Sequence, residues 1–151
     1  MPIVGVGNPD RSDDAAGLLV ARRLRELGVD AQEFTGDPLD LIEGWNGARE
    51  VILIDTVVSG AAAGTVTVWD AAKAPLPPER FCCSTHAFGL AEAVEIARAL
   101  GRLPPKVVIY GIEGARFDLG GLPSTDVAAA VERLAQQVAR PTGLHRPDSQ
   151  W

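Results

Sequence analysis

Only two cysteines occur in 151 residues, and they stand side by side as Cys82 and Cys83. Adjacent cysteines form neither a disulfide framework nor a spaced zinc motif. Positive charge is also short, with 14 Lys and Arg against 20 Asp and Glu, a net charge of −6. That balance weighs against broad electrostatic binding to nucleic acid or to an anionic membrane. No apolar run reaches the ~18 residues that a membrane helix needs. An apolar strand starting at residue 2 leaves no room for a basic region, an apolar region and a cleavage site, so we expect a cytoplasmic protein without a secretory leader. What remains is ordinary for a globular chain: 46% apolar and 23% charged residues, with no internal repeat and no dividing linker. We expect one domain over residues 1–140 and a frayed tail over 141–151, which sets His145 and Trp151 outside any site.

The chain is organised around its beginning. Ile3-Val4-Gly5-Val6 reads as a buried parallel strand, followed by a glycine-punctuated turn and then Asp13-Asp14 where a helix should begin. Gly5 and Gly7 fit the start of a dinucleotide fingerprint, but its third glycine falls on Asp10. Asp10, Asp13 and Asp14 would also repel a pyrophosphate at the helix N-terminus. The acidic pair is then either a helix cap or half of a cation site, with Asp13 the better candidate for the cap.

Apolar residues Ala16, Leu19, Val20, Leu24 and Leu27 follow a helical period that Gly28 ends. A weak strand is expected over 30–34 and a short helix over 39–45. Val51-Ile52-Leu53-Ile54 is apolar on both faces and should be a central strand ending on Asp55. Its carboxyl end is the edge where open α/β sheets place ligands. Residues 59–64 are too few for a crossover helix, so the strand over 65–69 should run antiparallel at the sheet edge. The proline-rich segment 70–81 should be an exposed loop. Ser84 or Thr85 is expected to cap a third helix whose buried stripe is Leu90, Val94, Ala97 and Leu100, with His86 near its start. The positive end of the helix dipole favours a neutral, metal-binding imidazole there. A last strand over 106–112, a glycine-rich loop over 113–121 and a final helix with Val127, Val131, Leu134 and Val138 inward complete the chain. The pattern is that of a three-layer α/β/α sandwich with a five-stranded, mostly parallel mixed sheet and one antiparallel edge strand.

Asp14, Asp55 and His86 therefore fall at one sheet edge. Two carboxylates and one imidazole with positions left open suit a first-row divalent ion such as nickel, zinc, iron or manganese. There is no G-x-S-x-G elbow and no H-E-x-x-H helix. A Cys83–His86 thiol–imidazole pair is the weaker catalytic alternative. Cys82 and Cys83 otherwise read as small buried residues without an assigned role.

Four motifs, in this order and spacing, resemble the hydrogenase maturation proteases. They are Gly5-x-Gly7-Asn8 with Asp13-Asp14-x-x-Gly17, Ile54-Asp55-x-Val57-x-Ser59-Gly60, Ser84-Thr85-His86-x-x-Gly89-Leu90, and Tyr110-Gly111-Ile112-Glu113-Gly114. The resemblance spans residues 2 to about 139 and implies a phosphorylase/hydrolase-like fold. It implies an endopeptidase that trims the C-terminus of a nickel–iron hydrogenase large-subunit precursor, reading nickel already seated in that substrate. By motif, Asp14, Asp55 and His86 are both the nickel ligands and the catalytic residues, while Asn8 and Asp13 shape the loop. The ion would polarise the scissile carbonyl, lower the pKa of a bound water, or both, and one carboxylate is an alternative proton acceptor. A non-catalytic nickel-binding checkpoint protein with the same fold is the rival expectation. Thr35-Gly36-Asp37 departs from the glycine-threonine turn of many relatives and bears on partner identity.

Overall fold

The computed structural model describes residues 2–81 and 89–140. Cys82, Cys83, Ser84, Thr85, His86 and the expected tail 141–151 lie outside the described residues. The strands are β1 (Ile3–Val6), β2 (Gln32–Phe34), β3 (Glu50–Val57), β4 (Val66–Asp70) and β5 (Lys106–Glu113). They form one sheet in the order β2-β1-β3-β5-β4. Pairing is parallel throughout except at β4, which runs antiparallel to β5. The short 59–64 connection has the consequence expected of it.

Helices cover both faces: α1 (Ala16–Glu26), α2 (Leu41–Gly44), α3 (Leu90–Ala99) and α4 (Thr125–Val138). The period-2 alternation of β3 divides its side chains between two cores. Ile52 and Ile54 pack with Val20 and Leu24 of α1 and Val127, Val131 and Leu134 of α4. Val51, Leu53 and Val57 pack with Leu41 and Ile42 of α2 and with Leu90, Val94 and Ala97 of α3. Asp55 belongs to this second series, so the alternation carries its side chain to the α3 face. No helix among the described residues is long and apolar enough to cross a membrane.

Several expectations are corrected. β3 does not end at Asp55 but continues to Val57, because β5 pairs with it along its whole length, Asp55 opposite Gly111 and Val57 opposite Glu113. Leu100 is 61% exposed, since α3 ends at Ala99, and Ala91 and Ala93 are buried instead. The α3 cap among the described residues is Gly89, whose N–H donates to Glu92. Segment 70–81 is not simply an exposed loop: Ala71, Leu76 and Phe81 are buried in the α2/α3 core, and Pro78–Phe81 forms a 3-10 turn. Its prolines break regular structure, but its apolar side chains still have a core to enter.

The start of α1 decides where the acids go. A 3-10 turn, Ser12–Ala15, precedes the helix, and no side chain caps either element. Asp13 is therefore not the helix cap that its position proposes. Three glycines instead let the backbones meet. A Cβ at Gly17 would overlap the carbonyl oxygens of Val6 and Ile54, and one at Gly7 would overlap that of Asp14. A Cβ at Gly5 would overlap the carbonyl of Gly17. Only hydrogen fits at these points, and the acidic turn is thereby drawn down onto the sheet.

Candidate active site

Asp14 closes the turn after β1. Its N–H donates to Arg11 O at 2.8 Å and its carbonyl accepts the N–H of Asn8 at 3.1 Å. The Asn8 side chain accepts the N–H of Asp10 at 2.9 Å, a local bond that fixes the same turn. With only 7% of its surface exposed, Asp14 is poorly solvated as an anion. Burial raises its pKa to about 6, against the opposing pull of Arg11.

Asp55 lies near the carboxyl end of β3 and is partly buried. Burial pushes its pKa up to about 8; the Thr56 N–H, which donates to its Oδ1 at 2.7 Å, resists the rise, and the charge of Asp14 adds to it. That bond, made within β3, satisfies one carboxylate oxygen of Asp55. The charge of Asp14 thus reaches Asp55, but burial is the main cause of both shifts. A carboxyl whose pKa is raised toward neutrality suits general acid–base chemistry, and a carboxylate oxygen is a hard donor that suits a divalent ion.

Asp13, adjacent in sequence, has the opposite environment. It is fully buried, yet its carboxylate accepts N–H bonds from Ala115 at 2.8 Å, Arg116 at 2.9 Å and Ser124 at 2.7 Å, plus the Ser124 hydroxyl. Burial works against the charge, but these donors prevail and hold the carboxyl below its usual range. Its carbonyl accepts the Thr56 hydroxyl at 2.8 Å, joining the acidic turn to β3 next to Asp55. Asp13 thus stays ionised to anchor the loop between β5 and α4. Further bonds close the same seam: Asp13 N–H to Arg116 O, Gly120 N–H to Asp10 O, and the Ser12 hydroxyl to Asp118 O. Ser12 adopts φ 44°, a left-handed conformation uncommon outside glycine, at the point where this seam bends the turn.

The structure brings Asp14, Asp55, Asp13 and Asn8 to one edge; His86, the third expected ligand, lies outside the described residues. Among the described residues no group of three or more His, Cys, Asp or Glu has the arrangement of a metal site. Sequence reasoning gave no role to Glu113. This acid ends β5 almost fully buried, and accepts the Ser59 N–H at 2.7 Å and the Ser59 hydroxyl at 2.6 Å. An acid closing an otherwise apolar strand, directly before Gly114, was the available signal.

The profile of the HycI family, described as hydrogenase maturation protease, matches residues 29–141, beginning after Asp14. Comparison with curated proteins gives no match. Among solved structures, the hydrogenase maturating endopeptidase HybD from E. coli superposes with a TM-score of 0.74 at 22% identity, over 91% of this chain and 90% of that one. The [NiFe] hydrogenase maturation protease HycI from Thermococcus kodakarensis KOD1 gives 0.71 at 26% identity, over 91% and 88%. The [NiFe] hydrogenase maturation protease HybD from Thermococcus kodakarensis gives 0.71 at 28% identity, over 93% and 100%. These structures cover a larger share of the chain than the family profile does.

Proposed function

As the chain belongs to the hydrogenase maturation protease family, we propose that it is the endopeptidase that removes a C-terminal peptide from the nickel-loaded large-subunit precursor of a nickel–iron hydrogenase. Nickel in this scheme is part of the substrate. Asp14 and Asp55, joined by His86, complete the coordination of the ion and hold the scissile peptide beside it. The ion supplies Lewis acidity to a carbonyl or to a water. The observation that carries the proposal is the carboxylate pair itself: both acids are held at the cost of raised pKa values, Asp55 partly by the charge of Asp14. A divalent ion between them removes the mutual repulsion and offsets much of the desolvation. The donor set is also incomplete for a tightly held resident ion, as suits a protein that meets its metal in a partner. We place this activity in the cytoplasm.

The test is incubation of the purified protein with a nickel-loaded precursor, followed by intact mass. One discrete loss of a C-terminal peptide is expected, abolished by Asp55→Asn or His86→Ala. Precursor that is bound but left intact by the wild-type protein would instead identify a non-catalytic checkpoint protein.

A further inference from the structure

Two loops border the acid pair, and each is fixed by a buried carboxylate that the proposed chemistry does not use. Asp13 ties the loop after β5 through Ala115, Arg116 and Ser124. Glu113 ties the connection after β3 through both polar groups of Ser59. The backbone of Glu113 closes the far end of the same connection, with its carbonyl accepting the Gly64 N–H and its N–H donating to Thr65 O, both at 2.8 Å. These loops are held, yet they show large aliphatic side chains to water. Leu119 is 80% exposed and Leu122 84%, and Val58, directly after β3, is 36% exposed. Only Leu100, after the C-terminus of α3, is otherwise recorded as a large exposed hydrophobic among the described residues.

Folding gains nothing from Leu119 and Leu122 in these positions, since little of either is buried. Apolar side chains on a backbone already ordered by Gly120 and Asp118 lose little further entropy when a partner covers them. The exposed charges just before Leu119 in this loop, Arg116 and Asp118, are opposite in sign, so the loop selects on apolar shape more than on charge. We infer that Leu119 and Leu122 form an apolar docking lip for the folded body of the substrate protein, on the loop that Asp13 holds beside the turn carrying Asp14. The inference rests on the proteolytic function proposed above. A second copy of this chain fits less well as the occupant. Two side chains expose on the order of a few hundred Å², short of the ~800 Å² per partner of a stable complex. A substrate adds the threaded peptide and the metal contact to that small area.

The test uses the full chain carrying Leu119→Ser with Leu122→Ser, measured for precursor binding, for steady-state cleavage and for its own mass by light scattering. Because both side chains are exposed, the melting temperature should not change. Kd and KM for the nickel-loaded precursor should rise about 10- to 100-fold with kcat within about 2-fold. Leu119→Met with Leu122→Met should restore both. Unchanged Kd and KM in a protein that still cleaves would overturn the docking lip and leave the proteolytic function standing. A wild-type protein that neither binds nor cleaves the precursor would overturn both. Self-association that the serine variant abolishes, with KM unchanged, would make the patch an interface between copies and overturn the lip.

Discussion

Replacing Asp55 with Asn should make the protein more stable at high pH while destroying its activity. The substitution keeps the shape and the oxygen that accepts the Thr56 N–H, and removes only the charge. A carboxylate whose folded pKa is raised binds its proton more tightly in the native state. Its ionisation therefore costs stability progressively as pH rises from the unfolded value toward the folded one. For Asp55 that window runs from 3.8 to about 8. Taken at face value, the penalty is about 5 kcal/mol at pH 8 and about 2 kcal/mol at pH 5. Solvent reaches part of the side chain, which screens these values to roughly half. Asp55→Asn should then exceed the wild type by about 2–3 kcal/mol at pH 8, or roughly 4–10 °C in Tm, and by about 1 kcal/mol at pH 5. Differential scanning calorimetry at the two pH values reads this directly. Excess nickel or zinc should narrow the gap by stabilising the wild type alone. Equal destabilisation by Asp55→Asn at both pH values would refute the reasoning and make Asp55 a neutral structural acceptor.

Asp13→Asn should behave in the opposite sense. An amide there turns N–H groups toward N–H donors, costing about 2–4 kcal/mol at neutral pH by urea denaturation. Because the Asp13 pKa is lowered, its contribution is present above the unfolded value of 3.8 and should fade as pH drops through the folded value, closing the gap to the variant. Gly17→Ala forces a Cβ onto two carbonyl oxygens and should cost roughly 2–4 kcal/mol. It should also lower kcat at temperatures where the variant remains folded, as the turn bearing Asp14 lifts from the sheet. An unchanged kcat would show that close helix–strand contact does not place Asp14.

Much of this arrangement is legible in the sequence because it depends on local pattern. A run apolar on both faces marks β3 as a central strand, and a connection too short for a helix forces β4 to run antiparallel. The inward stripe of α4 is the one its period dictates. The place of Asp14 just after β1 follows from where that strand gives way to the turn, and Asp55 lies two residues before the end of β3. The sequence tells Asp14 from Asp13, but not how Asp13 is held, since its donors stand more than a hundred residues away. Nor does a pattern of glycines reveal that Gly5, Gly7 and Gly17 are contact points, because periodicity carries no information on the distance to a neighbouring carbonyl. Leu100 misled for a related reason: it keeps the spacing of the α3 stripe but falls just past the last helical residue. Glu113 was hidden because its partner, Ser59, is brought to it only by the pairing of β3 with β5.

The central claim is that the carboxylate pair responds to nickel held by another protein. Parallel incubation of the wild-type protein with nickel-loaded and nickel-free large-subunit precursor, read by intact mass over a time course, tests it most directly. We expect a discrete C-terminal truncation in the nickel-loaded sample alone. Cleavage of both precursors at the same rate would contradict it.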